Sequence, residues 1–182
     1  CYFAAITSLN ALILRSGTRH FGFRRLIDIW LTKGDYRNAN LMILLAYILI
    51  GHPEWKDCQI RVFDVVEQGS ANTTDGLEEL IATGRLPISA NNIQKVTKPE
   101  SKNFSEVVCA GSVDADLIIL GLSLKKMRKD NGAFMAGFTC TQDMLFVRAG
   151  QKILISADES EEDLAESLGE QNPAEAKPDA NV

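Results

Sequence analysis

The stretch Gly121-Leu122-Ser123-Leu124-Lys125-Lys126-Met127-Arg128-Lys129-Asp130-Asn131-Gly132 combines glycines at both ends with four cations between them. Glycine lets backbone N–H groups come close to an anion, and Lys or Arg neutralises it. Gly121, Lys125, Lys126 and Gly132 are therefore the candidate residues for holding a nucleotide, with ATP as the candidate ligand. The interior of the stretch has no glycine, however, and isolated glycines are a weak motif. Four cations on a solvated surface connector account for the same residues without any ligand.

Asp28 stands beside Trp30 in an otherwise apolar run, where a general base or a ribose-binding carboxylate could sit. A base needs a histidine or a second carboxylate converging on it. His20 and His52 lie in a loop and at a helix end, with no acidic motif near them. His52 suits the negative end of a helix dipole as a cation. Asp28 reads better as a hydrogen-bonded carboxylate that fixes the following loop. Asp114-x-Asp116 is half of a metal loop, but no further carboxylates follow at calcium spacing, so it reads as turn chemistry. Cysteines at 1, 58, 109 and 140 form no CxxC and have no histidine at metal spacing. That argues against both a zinc site and a disulfide framework, and predicts reduced, mostly buried thiols. No nucleophile, base or metal set converges, so the expectation is that the chain is not an enzyme.

The elements that must position these residues follow from hydrophobic spacing. Ile27, Ile29 and Leu31 alternate with Asp28 and Trp30, predicting a strand at 26–31. Residues 41–50 carry no charge, which predicts a helix buried on nearly all sides with Leu45 fully buried; the run is too short for the ~20 residues of a membrane span. Gly51 and Pro53 stop it. Ile60, Val62, Val65 and Val66 give a β-branched strand, so that 26–66 reads as a βαβ unit. Further expectations are strands at 10–14, 93–96, 117–122, 144–148 and 152–155, and helices at 74–84, after Asn103, and at 131–141. Strands alternating with helices imply an α/β fold, a doubly wound, mostly parallel sheet. Trp30 and Trp55, flanking strands, read as core residues rather than interface anchors.

The chain has 182 residues, 46% hydrophobic, enough for one domain with a sizeable core. Its formal charge of −5 is unevenly placed. Residues 157–182 carry nine acids and one Lys, leaving residues 1–156 at +3. No Lys/Arg stripe interleaves with aromatics, so nucleic acid is not an expected partner. Residues 157–182 read as a disordered acidic tail. Ser156 and Ser160 precede acidic residues there, as at an acid-directed kinase site. The first residues, CYFAAITSLNALIL, read as a helix end running into a strand, which suggests a piece of a longer protein.

Several of these segments resemble the second half of the cytoplasmic C-terminal domain of cation-chloride cotransporters, of the prokaryotic type. Ile27-Asp28-Ile29-Trp30 and Trp55-Lys56-Asp57-Cys58-Gln59-Ile60-Arg61-Val62-Phe63 carry the resemblance, with the Leu-rich helix between them. Ala115-Asp116-Leu117-Ile118-Ile119-Leu120-Gly121-Leu122 and Met144-Leu145-Phe146-Val147-Arg148 continue it in order, over residues 9–156. Leu31 and Asn38-Ala39-Asn40 depart from the family pattern, which has Trp and Asp-Gly-Gly there. The resemblance implies a universal-stress-protein-like fold for 1–156, truncated at its N-terminus. It also implies a regulatory and homodimerisation role beside the protein's own membrane transport domain, which would carry ions by symport. A carrier of the related amino-acid–polyamine–cation superfamily is the nearby variant. A soluble stress-protein-like sensor of adenine nucleotide is the alternative expectation.

Overall fold

The computed structural model describes residues 9–67 and 93–151. The helix expected at 74–84, the strand at 152–155, the tail from 157 and the serines 156 and 160 lie outside the described residues. Six strands form one sheet: β1 (Ala11–Arg15), β2 (Leu26–Thr32), β3 (Gln59–Glu67), β4 (Ile93–Lys98), β5 (Leu117–Gly121) and β6 (Asp143–Arg148). Their spatial order is β1-β6-β5-β2-β3-β4. β4, β3, β2, β5 and β6 run parallel to their neighbours, and β1 closes one edge antiparallel to β6, with Leu12 opposite Val147. The fold is α/β with a mostly parallel sheet. In chain order the parallel strands lie 3-2-1-4-5, so the order reverses between β2 and β5.

β2 and β5 are the centre because their residues tolerate burial on both faces. Ile27, Ile29 and Leu31 belong to one apolar cluster with Val62, Leu117, Ile119 and Val147. The intervening Trp30 points to the opposite face, with Phe63, Ile118, Leu120 and Phe146. Period-two alternation thus serves two cores rather than a core and a solvent face.

Helix α1 (Tyr36–Ile50) covers the first face, preceded by a 3-10 turn at Lys33–Asp35. It begins five residues before the uncharged run. Its expected burial on nearly all sides does not hold. Ala39, Met42, Ile43 and Ala46 are fully buried, whereas Leu44 and Leu45 are half-buried and Ile48 is 61% exposed. A helix lying on one sheet face buries one stripe at helical spacing, and Leu45 falls on its flank.

Helix α2 (Phe104–Gly111) covers part of the second face. Asn103 precedes it as expected, and the Glu106 carboxylate accepts from the Asn103 N–H at 2.8 Å. Gly111 lies directly on the Trp30 ring, closer than any Cβ would permit. Trp30 Nε1 donates to Ser112 Oγ at 2.8 Å, and its ring stacks on Phe63 with centroids 4.2 Å apart. Trp30 and Trp55 are both core residues.

Three expectations fail on this face. The cationic stretch is not a loop: Leu124–Asp130 forms a short helix, α3, whose N-terminal Ser123 Oγ accepts from the Lys126 N–H. Leu, Lys, Met and Arg are all good helix formers, which outweighs their charge. Asn131 and Gly132 then take left-handed conformations, and the helix expected at 131–141 shrinks to a 3-10 turn at Ala133–Gly137. The thiols expected to be reduced include a bonded pair: Cys109 of α2 and Cys140 form a disulfide across 31 residues. Both segments pack on the same sheet face, a proximity that cysteine spacing does not reveal.

Burial sets the order of stability losses in α1. Met42→Ala should lower the unfolding free energy by about 2–5 kcal/mol in urea titration, and Leu45→Ala by clearly less.

Candidate functional site

The reversal of strand order opens a crevice at the carboxyl ends of β2, β3 and β5. Its volume is about 540 Å³, and its lining includes Thr32, Asp35, Gly121, Ser123, Phe104 and Phe134, with Lys33, Lys98 and Lys126. Open α/β sheets hold ligands at this position. Three ammonium groups and three aromatic rings, Tyr36, Phe104 and Phe134, line the cleft with the Asp35 and Glu67 carboxylates, which leaves a formal excess of one positive charge for a flat, anionic ligand.

Of the four candidate residues, the crevice takes in Gly121 and Lys126. Lys125 is exposed on α3, and Gly132 supplies the left-handed turn that ends it; neither lines the crevice. The space over Gly121 is already filled. The Asp35 carboxylate lies there so closely that a Cβ on residue 121 would overlap Oδ1. Thr32 holds it in place, donating from N at 3.1 Å and from Oγ1 at 2.5 Å to Oδ2. Burial pushes the Asp35 carboxyl above its ordinary pKa, opposed by the Thr32 hydrogen bonds and the Lys126 charge. A carboxylate thus occupies the approach that a phosphate would need to the glycine backbone. Asp35 was not legible as a site residue, because it sits in a loop and touches Gly121 only through the fold.

Asp28 is hydrogen-bonded, as expected, but to a neighbouring strand rather than the following loop. It is fully buried and takes a two-point contact from Arg61, Nε to Oδ1 at 2.7 Å and NH2 to Oδ2 at 2.8 Å. The sheet register places the two residues side by side. Arg61 continues to Asp114 Oδ1 at 3.0 Å. Burial raises the Asp28 carboxyl, and the Arg61 and Ser112 contacts pull against that shift. An acid so fully engaged is a structural counter-ion.

Asp116 and Asp143 do similar work at the opposite end of the sheet from the crevice. Asp116 accepts backbone N–H groups of Phe23, Arg25 and Leu26, and Asp143 those of Gly17 and Phe21. Together they hold the β1–β2 loop, in which His20, Phe21, Gly22 and Arg24 all have positive φ. Asp114 does lie in the turn at 112–114, as expected, and its side chain also pairs with Arg61; Asp116 serves as the loop clamp.

His52 accepts from the Glu54 N–H through Nδ1 at 3.3 Å and so caps the Pro53–Trp55 turn. Burial, with Asp116 and Asp28 nearby, pushes the Cys58 thiol up to about 11, which leaves it a poor nucleophile at neutral pH. Among the described residues, no group of three or more His, Cys, Asp or Glu could hold a metal ion. Among the same residues, no helix is long and apolar enough to cross a membrane.

No protein-family model matches the chain. Over 88 residues it is 36% identical to potassium/chloride cotransporter 3 of Caenorhabditis elegans, a match covering 42% of this chain and 8% of that protein. The chain thus matches a small part of the curated relative's length. The similarity supports a link to the cation-chloride cotransporters.

The two acids around Arg61 should differ sharply in what they stabilise. Arg61→Met leaves Asp28 buried without its counter-ion and should cost about 3–5 kcal/mol in urea unfolding. Asp114→Ala, which removes a 67% exposed partner, should cost under about 1 kcal/mol.

Proposed function

We propose that this chain is a non-catalytic cytoplasmic regulatory and dimerisation region of a cation-chloride cotransporter. Ions would move by symport through a membrane domain that these residues do not form. The observation that carries the reading is the 36% identity to a potassium/chloride cotransporter over 88 residues. The buried acids Asp28, Asp116 and Asp143 are each engaged in structural contacts. Two copies would associate about a two-fold axis, and a change in their arrangement would bias the attached transport domain only if each transport state favoured one arrangement.

The test is to express the complete reading frame that encodes the chain in cells of low chloride permeability. Chloride-dependent rubidium or sodium uptake is expected, with a lower rate after deletion of residues 9–151. The 182-residue chain alone should sediment as a dimer. Cation uptake indifferent to chloride would overturn the transport reading, and a monomer at all concentrations would overturn the dimer.

A second reading, a sensor of adenine nucleotide, draws on the three lysines and two phenylalanines of the switch-point crevice. The Asp35 carboxylate over Gly121 opposes it. Calorimetric titration of ATP separates the readings. Stoichiometric binding that weakens at least tenfold in Lys126→Ala supports the sensor, and no heat at millimolar ATP removes it.

A further inference from the structure

Cys109 and Cys140 join the two segments that carry the aromatic wall of the crevice. Cys109 is the sixth residue of α2, whose first residue, Phe104, lines the crevice. Cys140 ends the segment that carries Phe134, also a lining residue, and the buried Phe138. Between these segments Phe104 meets Phe138 edge to face at 6.3 Å. Phe138 and Phe134 in turn rest on Phe146 of β6, at 5.7 and 5.8 Å. The disulfide is the covalent tie between the two segments, with Cα atoms 5.2 Å apart. Both cysteines are half-buried, so a small thiol can reach the bond.

Tertiary packing, not the bond alone, brings the two sulfurs together. α2 is seated on Trp30 through Gly111 and through the Trp30–Ser112 hydrogen bond. The segment before β6 is held by the Gln142 side chain, which donates to Val113 O at 2.7 Å just beyond α2. Neither anchor involves a cysteine. Reduction therefore removes one restraint from an assembly that has others, which is the condition for a bond that can open and re-form without loss of the fold.

We propose that Cys109 and Cys140 are a reversible thiol–disulfide modification site whose state sets how firmly α2 and the 133–141 segment hold the aromatic wall of the crevice. Oxidation takes both thiols and one low-molecular-weight disulfide, such as oxidised glutathione. The cysteine pair gives up two electrons and two protons, the S–S bond forms through a mixed disulfide, and two molecules of the small thiol leave. Reduction is the reverse. The site is independent of the transport reading and of any bound nucleotide.

The full chain, equilibrated in glutathione buffers from oxidising to reducing, is quenched with maleimide and weighed. With maleimide added in denaturant so that every free thiol reacts, the number alkylated among its four cysteines should rise by two between the oxidising and reducing ends, the two appearing together. Hydrogen exchange in the same samples should quicken by about tenfold in peptides spanning 104–111 and 133–141, while β3 peptides stay unchanged. The double variant Cys109→Ser/Cys140→Ser should exchange like the reduced chain. In a Trp55→Phe background, emission from Trp30, on which Gly111 rests, should follow the same ratio. A bond that survives every buffer, a reduction that unfolds the whole chain, or identical exchange in the two states would each overturn the proposal.

Discussion

Asp28 is a charge at the centre of a sheet that has no water to offer it. β2 is covered on both faces, so the carboxylate has to be met by protein, and Arg61 on β3 meets it with two bonds. That pairing works in one register only. Sliding β3 by one residue would turn Arg61 to the α1 face and bring an apolar neighbour to Asp28. The β2–β3 alignment in turn sets where Thr32 and Val65 end, and so where the crevice opens. One buried ion pair thus fixes register as well as contributing energy, the role in which such pairs are best supported.

Much of this architecture was legible in the sequence because burial imposes period. The continuous apolar run at 117–122, the alternation at 26–31 and the β-branched run at 59–66 became β5, β2 and β3. Positions whose role depends on distant neighbours were not legible. A lysine-rich segment has the same composition as loop or helix, and α3 was taken for a connector. Cys109 and Cys140 are brought together by two segments packing on one face. Asp35 matters because it rests on Gly121, and Asp143 because it reaches back to Phe21, 122 residues away. Local pattern carries none of these.

The crevice shows how a fold and its usual ligand site can part company. The sheet places a cleft where doubly wound folds bind ligands, and lysines surround it. Yet the floor at Gly121 is covered by an acid held by Thr32. Fold alone does not assign function here. The similarity to a cotransporter over 88 residues weighs more than the shape of the cleft.

The clamp on the β1–β2 loop has a consequence for how the chain comes off the ribosome. The two carboxylates that accept this loop's N–H groups, Asp116 and Asp143, and the strand that pairs with β1, at 144–148, lie 90 residues or more further along the chain. Among the described residues, β1 has no strand to pair with until β6 has been made. Such long sequence separation slows assembly and prolongs the life of unpaired edges. Leu12 and Leu14, half-exposed even in the finished fold, are bare throughout that wait. Of the described strands, β1 is therefore the one whose edge stays open longest and most needs a chaperone's cover until β6 has been translated.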